Sequence, residues 1–248
     1  MNNTEITREY SIFSNFYDEV TKHFWINYSD SLNKLLANEP LDNSLAFDFG
    51  CGTGLGIKFL KNLKFRHIKG IDLSNEMISI TKSKYKSVDL IIGDMSENHG
   101  FRNGGLAICS FDAINYLTDE NKWNSFFKNV YDSLKKEGFF LFDSLTEFDH
   151  EELWPHSFDI IENEDYTLFR SGEYLNNFAY MNYYWFVKNR NSNYIKYREI
   201  HKQKSFPINE IIQWLENNHF SVMEIIDADS HGSLQPKTQR AIFKCKKG

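Results

Sequence analysis

A single stretch, residues 46–56 (AFDFGCGTGLG), constrains the fold of this chain more than any other. A short apolar run that contains Asp48 is followed by glycines at three alternate positions, Gly50, Gly52 and Gly54. The pattern predicts a buried strand that turns abruptly into a helix, because glycine tolerates positive φ and lets a ligand approach the backbone closely. Leu55 stands where the dinucleotide-binding fingerprint needs its third glycine, which argues against a nicotinamide oxidoreductase.

Strands and helices alternate around this turn. Short apolar runs predict strands at 45–49, 67–72, 88–92, 106–110 and 139–143, and helical patterns lie between most of them. Unbroken apolar strands are typical of a parallel sheet covered on both faces. A helix over 208–218 and strands at 222–226 and 241–245 complete the prediction. The fold class is therefore α/β, a doubly wound (Rossmann-like) seven-stranded mostly parallel sheet.

Two regions lie outside this alternation. Residues from about 10 to 38 carry apolar side chains at helical spacing and predict an N-terminal helix. Residues from about 150 to 206 are dense in aromatic and β-branched side chains separated by asparagine-rich turns, which predicts an inserted antiparallel β-sheet.

Composition narrows the class of protein further. The formal net charge of −6 argues against a nucleic-acid partner, which requires clustered positive charge. The three cysteines, Cys51, Cys109 and Cys245, are widely separated, so we expect reduced thiols and no metal site. We find neither a signal peptide nor an apolar run of membrane-spanning length, and we therefore expect a cytoplasmic protein without a membrane partner.

Four motifs occur in order at the predicted strand ends: the glycine run, Asp72, Gly93-Asp94 and the Ser110-Phe111-Asp112 group. This set resembles class I S-adenosylmethionine-dependent methyltransferases. Three further elements resemble the branch of that family that acts on small molecules; they are Tyr10-Ser-Ile-Phe13 with Tyr17-Asp18, Asn115-Tyr116-Leu117, and Glu199-Ile-His201. The resemblance implies one methyltransferase domain over 1–248, with a core at about 36–145 and 207–248, a lid helix at about 8–36 and the inserted sheet at about 150–206.

The strand-end acids also have a physical role in such a site. Asp48 would repel a pyrophosphate but favours the ammonium and sulfonium of S-adenosylmethionine. Asp72 is placed to accept both ribose hydroxyls and Asp94 the adenine amino group, with Met77 and Met95 as soft contacts for the ring. The predicted cofactor-binding residues are Tyr10, Tyr17, Asp48, Gly50, Cys51, Gly52, Thr53, Gly54, Asp72, Leu73, Met77, Gly93, Asp94, Met95, Ser110 and Phe111.

The predicted reaction is in-line transfer of a methyl group to an N or O nucleophile of a small molecule, with S-adenosylhomocysteine as product. Tyr17, His201 and Asp112 are the candidate catalytic residues, where a base is needed. The aromatic residues of the insert that its core does not need are expected to wall the acceptor pocket or form a homodimer surface. Two alternatives stay open: a non-catalytic S-adenosylmethionine-binding protein and a macromolecule methyltransferase.

Overall fold

The computed structural model describes residues 5–248, which form two β-sheets and five α-helices. In chain order the elements are β1 (Glu5–Ile6), α1 (Tyr17–Leu36), β2 (Leu45–Phe49), α2 (Leu55–Asn62), β3 (His67–Asp72), α3 (Asn75–Lys84), β4 (Asp89–Ile92), β5 (Gly104–Cys109), α4 (Glu120–Ser133), β6 (Leu134–Leu145), β7 (Phe158–Glu162), β8 (Tyr166–Leu175), β9 (Phe178–Lys188), β10 (Tyr194–Gln203), α5 (Ile208–Asn217), β11 (Phe220–Asp227) and β12 (Arg240–Lys247).

The larger sheet has seven strands in the order β11-β12-β6-β5-β2-β3-β4. The strands from β6 to β4 are parallel, whereas β12 runs antiparallel to both of its neighbours. Apolar side chains cover both faces: one cluster includes Phe47, Phe140 and Trp123, and the other includes Leu32 and Ile57. The predicted fold class is thereby confirmed, and the carboxyl ends of β2, β3, β4 and β5 meet at one edge.

The second sheet contains the predicted insert, strands β7 to β10, which pair antiparallel. Its order is β1-β10-β9-β8-β7, since the N-terminal strand β1 joins the edge of β10 in parallel. Phe13 from the N-terminal segment packs against Tyr166, Leu168 and Trp185 on the inner face of this sheet. The insert and the chain's beginning therefore share one small apolar core.

The N-terminal segment differs from the continuous helix that the spacing predicts. Residues Phe13–Asn15 form a single 3-10 turn, and α1 begins only at Tyr17. The buried carboxylate of Glu199 on β10 accepts hydrogen bonds from the backbone N–H groups of Ile12 (2.6 Å) and Phe13 (3.3 Å). These contacts tie the segment to the insert, a connection that side-chain periodicity does not encode. Within residues 5–248 no helix has the length and apolarity needed to cross a membrane.

Candidate functional site

The glycine loop after β2 surrounds a buried carboxylate, one oxygen of which has no hydrogen-bond donor within the described residues. Asp48 is 1% exposed, and its Oδ2 has no hydrogen-bond donor among residues 5–248. Burial and the neighbouring charge of Asp72 raise the pKa of Asp48 well above its usual range. A Cβ at Gly56 would lie 2.5 Å from this oxygen, so only glycine leaves room for the carboxylate. A buried acid in this state is suited to a cationic ligand group.

Asp72 at the end of β3 faces the same loop. Its Oδ2 accepts the N–H of Gly52 at 2.8 Å, and its Oδ1 accepts the N–H of Ser74 at 2.8 Å. Burial raises the pKa of Asp72, while these N–H groups act in the opposite direction. A Cβ built on Gly52, at φ +50°, would meet nothing within 4 Å, so this side of the loop is open to a ligand. Asp72 thus stands at the open side of the loop with its orientation fixed by the backbone.

A cavity of about 20 Å³ lies between the glycine loop and helix α1. Trp25 and Tyr17 of α1 form one wall, and Asp48, Ser110 and Phe111 lie opposite. The Oγ of Ser110 is a second buried oxygen without a partner within the described chain. About one water molecule fills such a volume, so a ligand of the size of methionine needs more space than this structure leaves between α1 and the loop.

Asp18 connects α1 to the glycine loop. Its carboxylate accepts the hydroxyl of Thr53 at 2.5 Å and pairs with Lys84 of α3, and Lys84 also donates to the carbonyl of Thr53 at 3.0 Å. The pair is partly exposed, so its net contribution to stability is small. Its structural effect is to hold the first turn of α1 against the loop.

The predicted adenine end is more crowded than the predicted ribose end. Asp94 accepts both the N–H and the hydroxyl of Ser96 and pairs with Lys122 at 2.9 Å. Burial raises the pKa of Asp94, but these hydrogen bonds outweigh burial and lower it. Met95 lies in the core with its sulfur 4.0 Å from that of Cys109, whereas Leu73 is 71% exposed at the rim. Leu73 is therefore the more accessible apolar contact for a ring.

The carboxylate of Asp143 on β6 organises the turn that follows β5. Phe111 and Asp112 both have left-handed backbone conformations (φ 65° and 56°), and their N–H groups donate to Asp143 at 2.5 and 2.8 Å. The hydroxyl of Tyr28 donates to the same carboxylate at 2.6 Å, and Arg240 pairs with it. Four donors thus converge on the carboxylate of Asp143, which holds the Phe111–Asp112 turn in position.

We expect Asp143→Asn to reduce the free energy of unfolding by about 3 kcal/mol, because it removes one partner of a buried ion pair and places an amide opposite N–H donors. Chemical denaturation at neutral pH measures this change. Asp132→Asn is the matched control, since Asp132 forms an exposed i,i+4 pair with Lys128 on α4. A loss below about 1 kcal/mol, the scale of an exposed pair, would contradict the role of Asp143.

A larger cavity of about 640 Å³ opens between the N-terminal segment, the insert and the end of the core sheet. Tyr17 and Phe111 wall both cavities, so the two adjoin there. Other lining residues include Tyr10, Asp112, Tyr116, Asp149, Trp154, His156, Arg170, Tyr183, His201, Asp229 and Arg240. The inner wall is therefore rich in tyrosine and in acids.

A chain of hydrogen bonds runs along this wall. The hydroxyl of Tyr10 donates to that of Tyr116 at 2.6 Å, and the hydroxyl of Tyr116 lies 2.7 Å from Nδ1 of His201. His201 is 1% exposed, and its Nε2 lies 3.8 Å from the carboxylate of Glu199. Burial raises the pKa of Tyr10 and of Tyr116 well above the usual value, so both phenols stay protonated. The two tyrosine hydroxyls can therefore pass a proton to the imidazole of His201, which faces the carboxylate of Glu199.

Asp112, the third candidate base, has partners for both carboxylate oxygens. Arg240 donates to Oδ1 at 2.8 Å and Gln203 to Oδ2 at 2.7 Å. Burial and Asp143 raise the pKa of Asp112, whereas Arg240 and Gln203 lower it. Of the two candidates His201 and Asp112, the histidine is the one with a nitrogen free of any hydrogen bond within the described residues.

Asp149 is a buried acid in the same cavity, 7% exposed. Burial, together with the charges of Asp112 and Asp229, raises the pKa of Asp149 to about 6, whereas Arg240 and a hydrogen bond with the Trp154 side chain act in the opposite direction. Ionisation of this side chain therefore costs the folded state stability as pH rises from about 4, the unfolded value, through about 6.

We expect Asp149→Asn to stabilise the protein at pH 7.5 by roughly 2 kcal/mol relative to the native chain, and to have little effect at pH 4. Below pH 4 the native carboxyl is protonated in both states, so the difference vanishes there. Denaturation of both proteins at several pH values measures this. A stability difference that does not change with pH would show that the carboxyl is not penalised by burial.

The seven-stranded fold, the two adjoining cavities and the buried acid of the glycine loop fit a methyltransferase. Residues 46–138 match the family described as Methyltransferase domain. The chain is 30% identical over 248 residues to "Putative methyltransferase YqeM" of Bacillus subtilis (strain 168), covering 96% of this chain and 97% of the relative. The chain therefore belongs to the methyltransferases, of the class that uses S-adenosylmethionine as cofactor.

Two solved structures show the same architecture. A S-adenosylmethionine-dependent methyltransferase from Clostridium acetobutylicum ATCC 824 has a TM-score of 0.85 at 23% identity, covering 96% of this chain and 99% of that chain. The sugar N-methyltransferase KedS8 from Streptoalloteichus sp ATCC 53650 has a TM-score of 0.77 at 16% identity, covering 94% and 92%. Both cover the inserted sheet as well as the core, so the whole arrangement is a recurrent one.

The residues of the glycine loop fit this cofactor. The partnerless Oδ2 of Asp48 matches a cationic methionine end, and the open side of Gly52 leaves space beside Asp72. The structure brings eight of the predicted cofactor residues together around the small cavity; they are Tyr17, Asp48, Gly50, Cys51, Gly52, Thr53, Ser110 and Phe111. Tyr10 lies in the larger cavity instead, and Gly93 packs against His99.

Several residues of the site have no role predicted from the sequence. Trp25 lies against the glycine loop and Asp18, named above only as part of a motif, bonds to it; Arg240 and Gln203 hold Asp112. Trp25 follows Tyr17 at helical spacing on α1, and this spacing is the one sequence signal for its place in the site. Nothing in the local sequence marks Arg240 or Gln203.

Proposed function

We propose that this chain transfers a methyl group from S-adenosylmethionine to an N or O nucleophile of a small molecule bound in the larger cavity. The observation that carries the proposal is the common wall of Tyr17 and Phe111, at which the glycine-loop cavity adjoins a space of about 640 Å³. A space of that volume fits a small molecule.

In this proposal, the bound cofactor supplies an electrophilic methyl on a sulfonium. The chain contributes alignment: Asp48 and Asp72 hold the donor, and the Phe111–Asp112 turn fixes the wall between donor and acceptor. Holding the two reactants in line removes much of the entropic barrier. The aromatic wall of Tyr10, Phe13 and Tyr183 excludes water from the acceptor.

The Tyr10–Tyr116–His201 chain removes the acceptor's proton. Tyr10 accepts that proton while passing its own to Tyr116, and Tyr116 passes its own to Nδ1 of His201. The net result is one proton moved from the acceptor to the imidazole, whose positive charge faces Glu199 at 3.8 Å. Buried Glu199 thus stabilises the charged product of the transfer.

A thermal-shift comparison with S-adenosylhomocysteine and NAD tests the donor site, followed by turnover with a panel of small amines, acids and phenols. Stabilisation by S-adenosylhomocysteine and its acceptor-dependent release from S-adenosylmethionine are expected. Binding without turnover on any acceptor would favour the alternative, a non-catalytic binding protein. Stabilisation by NAD alone would overturn the proposal.

A further inference from the structure

The charges around the larger cavity are unequal. Four acids line it, Asp112, Asp149, Asp159 and Asp229, together with two arginines, Arg170 and Arg240. The cavity therefore carries an excess of negative charge before any ligand enters.

Both arginines are already neutralised. Arg240 bridges Asp112, at 2.8 Å, and Asp143 behind it. Arg170 pairs with Asp159 at 2.9 Å. An anionic ligand would have to displace one of these carboxylates, so the cavity is a poor site for a carboxylate or phosphate.

Asp149 has no such cation. The charge of Arg240 and a hydrogen bond with the Trp154 side chain favour its ionised form. Asp149 nevertheless forms no ion pair within the part of the chain that the structure describes, although it is more than nine-tenths buried and lines the cavity. The pKa shift described above reflects this state, because burial disfavours the ionised form. A buried carboxylate at a cavity wall without an ion pair is stabilised most by a ligand that brings a positive charge.

The neighbouring walls favour the same kind of ligand. Trp154, Tyr183 and Tyr116 line the cavity with aromatic rings, whose faces attract ammonium groups. Asp149 and the aromatic rings therefore both favour a positively charged ligand.

We propose that the methyl acceptor is a small molecule bearing a protonated amino group, and that Asp149 is the carboxylate that binds this group. The inference rests on the proposed function and narrows its N or O acceptors to cationic amines. Asp149 acts here as a binding residue that selects the acceptor.

The test compares matched probes on protein saturated with S-adenosylhomocysteine. Cyclohexylamine and 2-aminoethanol are titrated against cyclohexanol and ethylene glycol at pH 8, with binding followed by ligand-observed NMR. We expect each amine to bind at least about tenfold more tightly than its alcohol, the scale of one hydrogen bond to a charged group. Asp149→Asn removes this preference and leaves the affinity for S-adenosylhomocysteine within about twofold.

Glu152→Gln is the matched control, because Glu152 lies on the same short helical turn but is exposed and outside the cavity lining. It should keep the preference for amines. Any of three results would overturn the inference: amines and alcohols bind equally, neither amine binds, or Asp149→Asn keeps the preference for amines. Methyl transfer to uncharged acceptors only would also overturn it and leave the proposed function intact, whereas failure to bind S-adenosylhomocysteine would defeat the proposed function itself.

Discussion

Asp72→Ala is expected to weaken binding of S-adenosylhomocysteine by about 100-fold, or ~3 kcal/mol. The carboxylate lies beside the open face of Gly52, where it can accept hydroxyl groups, and it also orients the N–H of Gly52 and Ser74. Its removal therefore costs hydrogen bonds to a charged group and the ordering of the loop. Isothermal titration calorimetry measures the change directly, without requiring the acceptor.

The control for this variant is Asp89→Ala. Asp89 lies on the adjacent strand β4 and, within the described residues, forms one long, exposed pair, with Lys69 at 3.7 Å. Its removal should leave affinity unchanged within about twofold. Near-native affinity in Asp72→Ala would refute the assignment of the donor site, provided that its thermal unfolding stays cooperative.

Tyr116→Phe is expected to lower kcat by about 100-fold and to leave the affinity for S-adenosylhomocysteine unchanged. The phenyl ring keeps the cavity wall but interrupts the hydrogen bonds from Tyr10 to His201. Part of the rate should return at alkaline pH, where the acceptor has already lost its proton. Steady-state kinetics as a function of pH, with the acceptor identified by the panel, measures both effects.

A double variant separates proton transfer from a structural effect. If Tyr116 and His201 act in one relay, Tyr116→Phe combined with His201→Ala should be little slower than either single variant. Tyr180→Phe, on the opposite face of the insert from His201, removes a hydroxyl outside the relay and serves as control. Additive losses in the double variant would indicate that the two residues act separately.

The sequence predicted the core sheet well because its signals are local. A buried strand reads as an apolar run, and the turn after β2 requires its glycines within five residues of one another. The bounds of β2 and β3 agree with the prediction residue for residue. The acids at the strand ends follow from the same reasoning, since parallel strands bring their carboxyl ends to one edge.

What the sequence could not predict depends on long-range contacts. Arg240 pairs with Asp143 and Asp112, which lie 97 and 128 positions earlier in the sequence, and no local pattern predicts these pairs. The N-terminal segment reads as helix, yet Glu199, 187 positions later, takes the N–H of Ile12. Tyr116 and His201 belong to two of the sequence motifs, but their contact spans 85 positions and depends on how the insert folds over the core.

The double role of Tyr17 and Phe111 as walls of both cavities has a thermodynamic consequence. A ligand that orders Tyr17 and Phe111 lowers the entropic cost of binding the second ligand, so the affinities for the two ligands are linked. Linkage is reciprocal: whatever factor the donor adds to the affinity for the acceptor, the acceptor adds to the affinity for the donor. Helix α1 walls the donor's cavity, and the N-terminal segment that Glu199 anchors supplies Phe13 to the wall of the acceptor's cavity, so a ternary complex would hold the two ligands on either side of Tyr17 and Phe111.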